Sequence, residues 1–98
     1  MHGVYEGKAF ALDRASAQDG RWVIGRKRGL AVALDYDPFV STENAATTHQ
    51  GGRYAVTDLG SKNGTSVNWT PLPSGGSRVL KPGEVIGVGR SLLSFLPE

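Results

Sequence analysis

The chain has 98 residues, with 11 Lys and Arg against 9 Asp and Glu, 39% hydrophobic residues and no cysteine. That length sets the expectation of a single domain over 1–98 with one modest core, the missing cysteine excludes a disulfide framework and a thiolate zinc site, and a net charge of +2 is too small to imply a nucleic-acid partner by itself. The longest near-apolar run, 30–34, is far short of the roughly 20 residues a membrane helix needs, and the N-terminus lacks a basic-then-apolar leader pattern, so the expectation is a cytoplasmic domain with no membrane partner.

Fourteen Gly and five Pro cut the chain into short pieces, and no window sustains a 3.6-residue period. Residues 4–10 read as the first strand. The best helical window, 9–18, has no clean apolar face and breaks at Asp19-Gly20. A strand over 21–24 then runs into Gly25-Arg26-Lys27-Arg28-Gly29. Three consecutive cations suit an anion, because arginine presents a planar fork that matches phosphate oxygens. Taken alone they read first as a solvated turn with charges for solubility, and as a nucleic-acid patch they lack interleaved aromatics. After a strand over 31–34, Asp37-Pro38 starts a turn with Phe39 and Val40 as its expected anchors in the core. Ser41, Thr42 and Asn44 are short polar side chains on the loop that leads into a strand over 45–48. Their plain reading is a Ser/Thr turn that satisfies nearby backbone groups.

Residues 53–58 alternate Tyr54, Val56, Asp58 against Ala55, Thr57, the period-two pattern of a half-buried strand. It is followed by Leu59-Gly60-Ser61-Lys62-Asn63-Gly64-Thr65-Ser66-Val67-Asn68. Asn63-Gly64 is the strongest short hairpin signal, yet Gly60-Ser61 makes the loop longer than a two-residue turn. On that reading the side chains of Ser61, Lys62 and Asn63 have no structural task, and an asparagine amide, both donor and acceptor, suits an extended peptide backbone. Further strands are expected over 66–68, 78–80, 84–88 and 92–96, set apart by Ser74-Gly75-Gly76 and Pro82-Gly83. Many short strands spaced by such turns predict an all-β sandwich or barrel.

Patterns for chemistry are weak. Gly87-Val88-Gly89-Arg90 has no following helix to make a dinucleotide loop, and 60–65 has the residue types of a phosphate loop without the Gly-Lys-Ser/Thr order. Ser41, His49 and Asp58 could be assembled into a triad, but no nucleophile-elbow glycines surround Ser41. Two histidines without cysteine give no metal-site pattern. The expectation is a non-enzyme with no cofactor and no metal.

In combination the loops carry more information. Trp22-Val23-Ile24-Gly25-Arg26, then Val40-Ser41-x-x-x-Ala45, then Asp58 through Asn68, in this order and spacing, resemble the forkhead-associated (FHA) domain, and 80–89 is similar to that family's last hairpin. The resemblance covers the chain from about Gly3 to Leu96, and 59–68 is its most specific part. It implies a sandwich of two mostly antiparallel sheets with about 11 short strands and binding loops at one end. It also implies recognition of phosphothreonine in an extended peptide, the product of a Ser/Thr kinase. Carried over by position, Arg26 clamps the phosphate and Ser41 donates its hydroxyl to it. Thr42 stands where the family often has a phosphate-touching Arg, Asn or Lys. Lys62 lies against the phosphothreonine, and Asn63 holds the peptide backbone. Gly25, Asn44, Gly64 and Asn68 are implied to support these loops. A phosphate with about −1.5 to −2 charges and three acceptor oxygens matches that donor set. The second motif departs from the family: Ser41-Thr42-Glu43-Asn44 replaces Ser-x-x-His, Thr42 brings no positive charge and Glu43 adds a negative one. An alternative therefore stands beside the main reading, an FHA domain acting as a phosphate-independent interaction scaffold. The expected partner is a phosphothreonine-containing protein or peptide and not a nucleic acid.

Overall fold

The period-two stretch at 53–58 forms a strand, and the turn-punctuated pieces on either side of it do the same. The computed structural model describes residues 2–3 and 20–95, and every regular element among them is a strand. These are β1 (His2–Gly3), β2 (Arg21–Gly25), β3 (Val32–Ala33), β4 (Ala45–Gln50), β5 (Arg53–Asp58), β6 (Thr65–Val67), β7 (Thr70–Pro71), β8 (Ser77–Leu80), β9 (Val85–Val88) and β10 (Ser91–Ser94). The expected strands from 21 onward all appear, that at 53–58 with its ends unchanged and the others with an end displaced by one or two residues. The expected strand at 4–10 lies outside the described residues, as does the window 9–18. Two short strands, β1 and β7, were not expected.

The strands make two five-stranded sheets, ordered β1-β10-β9-β6-β7 and β3-β2-β4-β5-β8. All pairs are antiparallel except β2 with β3. Each sheet turns one face inward, and the core between them is filled by Ile24, Leu34, Val56, Ile86, Leu93 and Phe95, all fully buried. Burying such side chains is the main driving force for closing a sandwich of this kind. At one corner of the core the Tyr54 ring meets Trp22, Phe95 and the stacked His49 ring, with centroids 6.2, 5.0 and 4.3 Å away.

The topology settles what 59–68 does. β5 lies in one sheet and β6 in the other, so residues 59–64 carry the chain across the sandwich and form no hairpin. Consistently, Gly64 takes a positive φ of 87° but Asn63 does not, whereas a type I′ turn needs both. The tight hairpin is one step later. Val67 pairs with Thr70, which leaves Asn68-Trp69 as a two-residue turn with φ of 49° and 66°, the signature of type I′. Asn68 holds it: its N–H donates to Val85 O at 2.8 Å, its Oδ1 accepts from Val85 N–H at 3.0 Å, and its Nδ2 donates to Glu84 at 2.9 Å. Arg78 pairs with the same Glu84 oxygen at 3.2 Å. Asn68 thus secures a turn at the far end of β6, and not the 59–64 loop that the resemblance assigned to it.

Trp69 is in a left-handed conformation that costs a residue with a Cβ roughly 1–2 kcal/mol, and it is 70% exposed. Trp69→Gly should therefore raise stability by about 1 kcal/mol, net of the extra freedom glycine brings to the unfolded chain. Urea unfolding followed through the buried Trp22 measures this; an unchanged or lowered midpoint would show that the turn is unstrained.

Candidate functional site

Three loops meet at the end of the sandwich where β2, β5 and β9 finish. β2 does not stop pairing at Gly25. The Asn44 N–H donates to Ile24 O at 2.8 Å, Arg26 N–H to Ser41 O at 3.0 Å and Lys27 N–H to Thr42 O at 3.3 Å. This close approach requires glycine at 25, because a Cβ there would overlap the Thr42 carbonyl oxygen. The exposed Arg26 side chain is thereby placed beside the Ser41-Thr42 backbone.

The 37–40 turn is fixed by a buried carboxylate. Asp37 is 2% exposed. Its Oδ1 accepts from Phe39 N–H at 2.9 Å, while Oδ2 accepts from Arg90 N–H and the Ser91 hydroxyl, both at 2.8 Å. Val40 enters the core as expected, but Phe39 does not: it is 41% exposed. The Asp37 turn directs it outward, where the Arg90 guanidinium lies 4.3 Å over its ring centroid, a cation–π contact.

The third loop is joined to the second through the interior. Asn44 Oδ1 accepts from Ser41 N–H at 2.9 Å, and its Nδ2 donates to Gly64 O at 3.2 Å and to Thr65 Oγ1 at 3.0 Å. The Thr65 hydroxyl donates onward to Asp58 Oδ1 at 2.7 Å. Asp58 also accepts from the Ser61 hydroxyl at 2.6 Å and from the Gly60, Ser61 and Gly75 amides at 3.0, 3.3 and 3.4 Å. Burial by itself would raise the pKa of Asp58. The bonds from the Ser61 and Thr65 hydroxyls, then from the Gly75 and Ser61 amides, outweigh it and hold the carboxyl below its ordinary value.

Two further bonds close the arrangement. Lys62 N–H donates to Ser41 Oγ at 3.0 Å, and Asn63 Nδ2 donates to Phe39 O at 2.8 Å. Ser61 and Asn63 therefore do have structural tasks, contrary to the expectation, because the crossing loop must be tied down at both ends. Each of these bonds leaves something for a ligand. Ser41 has used its oxygen as acceptor and keeps its hydroxyl hydrogen; Asn63 keeps its side-chain carbonyl.

The result is an open groove of about 340 Å³ lined by Arg26, Ser41, Thr42, Lys62 and Asn63, with Phe39 as part of its wall. All five residues expected at the binding site share this groove. Neither the Arg26 nor the Lys62 side chain makes an ion pair among the described residues. Two cations, a hydroxyl donor and an amide carbonyl can hold a multivalent anion together with the backbone that carries it. Sequence reasoning missed Phe39 as a wall residue, with Arg90 over its ring, and Asp37 and Asp58 as buried anchors. For Asp58 a signal existed: it occupies the same inward parity as Tyr54 and Val56, and a carboxylate at a buried position demands donors.

The FHA domain family model matches residues 22–89. The glycogen accumulation regulator GarA of Mycolicibacterium smegmatis is 35% identical over 94 residues, which are 96% of this chain and 54% of GarA. This chain thus spans about half the length of that relative. Mycobacterium tuberculosis EmbR, solved in complex with a low-affinity phosphopeptide, superposes with a TM-score of 0.81 at 26% identity over 97% of this chain and 23% of EmbR. An FHA domain solved in an analysis of phosphothreonine-dependent FHA interactions gives a TM-score of 0.70 at 30% identity over 86% of this chain and 88% of that one.

The lowered pKa of Asp58 sets an acid limit. A depressed folded-state pKa contributes stability that is fully present above the unfolded value of about 4 and is lost as pH falls through the folded value. Asp58→Asn, which swaps an acceptor oxygen for a donor among donors, should cost about 1–3 kcal/mol at pH 7. Its urea-unfolding stability should also decline less steeply than that of the unaltered chain between pH 4 and the folded-state value. Parallel curves down to the acid transition would remove Asp58 as the source.

Proposed function

This chain belongs to the FHA domain family, and from that membership we propose that it is a phosphothreonine-peptide-binding module in Ser/Thr-kinase-linked signalling, working in the cytoplasm by binding and not by catalysis. The observation that carries the reading is the single groove holding Arg26, Ser41, Thr42, Lys62 and Asn63. In it the Arg26 guanidinium takes two phosphate oxygens as a fork. The Lys62 ammonium neutralises further charge, and the Ser41 hydroxyl donates the hydrogen that its bond from Lys62 N–H leaves unused. The Asn63 carbonyl accepts a backbone N–H of the peptide, while its amide group stays on Phe39 O. The loops that carry these groups are tied to one another by hydrogen bonds that need no ligand, which lowers the loop entropy that binding costs. The whole of 1–98 acts as one such module. The regulator GarA and the phosphopeptide-bound EmbR, to which the chain is similar, are in keeping with it.

A phosphate-independent scaffold is the second reading, favoured by the neutral Thr42 and the acidic Glu43 beside the groove. Against it, Asn44 makes three side-chain bonds that brace both loops, so the frame that places Arg26 and Ser41 is retained.

Calorimetry with matched phosphothreonine, phosphoserine and unphosphorylated peptides separates the two. The phosphothreonine series should bind and the unphosphorylated series should not. Arg26→Ala should weaken binding about 10- to 100-fold, the worth of a charge-assisted bidentate contact, and Lys62→Ala by less. Equal affinity for phosphorylated and unphosphorylated peptides would establish the scaffold reading in place of this one. Asn44→Ala should weaken phosphopeptide binding and also lower stability by about 1–3 kcal/mol, since it strands buried groups on Ser41, Gly64 and Thr65; a loss of affinity with full stability would mean that Asn44 touches the ligand itself.

A further inference from the structure

Asn63-Gly64 forms no hairpin, yet the pair keeps a chemical property of its own. An asparagine can close on itself when the next backbone nitrogen attacks its side-chain amide carbon, and a following glycine, with no Cβ, hinders that attack least. Three observations leave the path open here. Asn63 is exposed on the wall of the phosphate groove. The attacking nitrogen is idle: among the described residues the Gly64 N–H donates to no group, although Gly64 O is held by Asn44 Nδ2. The surroundings are uncrowded, since a Cβ placed on Gly64 would meet nothing within 4 Å. An open groove of about 360 Å³, lined by both Asn63 and Gly64, brings water to them. The other two asparagines, Asn44 and Asn68, are followed by Ala45 and Trp69, whose Cβ atoms stand in the way.

The side chain at stake has two tasks. Its Nδ2 donates to Phe39 O at 2.8 Å and ties the crossing loop to the 37–40 turn. Its carbonyl is the group left for the peptide backbone. A carboxylate in its place has only acceptors. It repels the Phe39 carbonyl oxygen, so the tie is released. It also puts a negative charge into the groove that holds Arg26 and Lys62, where it takes up the cations that a phosphate needs. A carboxylate beside a phosphate opposes it by like-charge repulsion.

We propose that Asn63-Gly64 is a self-modification site that switches the phosphopeptide groove off. The Gly64 nitrogen bonds to Asn63 Cγ, the Cγ–Nδ2 bond breaks, and ammonia leaves with the proton from Gly64 N. Water then opens the resulting cyclic imide at one carbonyl or the other, giving aspartate or isoaspartate. Nothing is oxidised or reduced, and water is the one co-reactant. Ring closure has to wait for the Asn63 amide to leave Phe39 O, and a peptide bound to the Asn63 carbonyl adds a second restraint. The empty module therefore ages and the occupied one is spared. The consequence for binding rests on the phosphopeptide reading above; the chemistry at residue 63 does not.

The test incubates the folded chain at mildly alkaline pH, with and without a saturating phosphothreonine peptide. Intact mass, peptide mapping and isoaspartyl methylation follow the conversion, and calorimetry follows binding. The segment carrying residue 63 should exchange NH₂ for OH while those carrying Asn44 and Asn68 do not. The fraction of chain that binds should fall in step, and saturating peptide should slow the conversion about tenfold or more, as binding to the unconverted form alone does. Asn63→Gln, which carries its amide on a longer arm, should keep its mass. Asn63→Asp, and the converted chain once isolated, should both bind about tenfold or more weaker than the fresh chain, with urea unfolding run on each to confirm that the fold is kept. A constant mass, conversion only in urea, conversion at another asparagine, a rate indifferent to peptide, or a converted chain with full affinity or without its fold overturns the proposal and leaves the phosphopeptide reading intact. Failure of every phosphothreonine peptide to bind the fresh chain removes that reading and the switch with it, even where residue 63 converts.

Discussion

The site depends on one buried polar chain, from the Ser41 amide through Asn44 and Thr65 to the Asp58 carboxylate. Asn44, Thr65 and Asp58 are 0, 1 and 2% exposed. At such burial every unpartnered donor or acceptor costs about 1–3 kcal/mol, so the chain is stable only when all its members are in place. That makes it a positional lock. Asn44 precedes β4 and Asp58 ends β5 in one sheet, while Thr65 begins β6 in the other. The same bonds that satisfy these groups therefore hold the two sheets together at the end where the loops emerge.

Much of the groove's geometry follows from that lock. A side-chain amide offers an acceptor and a two-hydrogen donor in one planar group. Asn44 uses the first on the Ser41 loop and the second on the Gly64-Thr65 segment. It thereby braces both loops from the position where the family's Ser-x-x-His motif has histidine. Asp58 gathers the following loop around its carboxylate from the other side. Residues 60–64 have no regular structure, yet they are held at both ends, and Lys62 and Asn63 are presented from a fixed frame. Asp37 does the same for the opposite wall, joining 37–40 to the β9–β10 turn.

The strand β6 thus has two differently built ends. At its start, hydrogen-bonded burial leaves little freedom and no strain. At its finish, the Asn68-Trp69 turn keeps two residues at positive φ because Asn68 is bonded to Glu84 and Val85 of the neighbouring strand region. Rigid scaffolds commonly place recognition on the loops and turns they hold fixed, and this sheet carries such positions at both ends of one short strand.

Period and turn chemistry made most of the fold legible. The alternation at 53–58, the glycine and proline punctuation and the absence of helical period are local properties, and they yielded the strands and the all-β class, while the family resemblance supplied the two-sheet sandwich. The order of Gly25-Arg26, Ser41 and 59–68 pointed to the residues that line the groove. What remained hidden was non-local. Asn63-Gly64 reads as a hairpin because the dipeptide favours it, but whether the next strand pairs with the last or crosses to the other sheet is decided by sheet partners far along the chain. Asn68-Trp69 carries little turn signal, because tryptophan has no preference for positive φ; the turn is imposed by Val85 and Glu84. Phe39 is as hydrophobic as Val40, and only the carboxylate of Asp37, bonded 53 and 54 residues away to Arg90 and Ser91, decides which of the two faces water. Residue types and strand period by themselves determined the all-β class and its turns, and the order of the loop motifs, through the family resemblance, singled out the residues that line the groove, since residue type and order are written locally. The tertiary structure decided which side chains are spent on holding the loops and which are left for a ligand, because each hydrogen bond that makes that division joins segments distant in sequence.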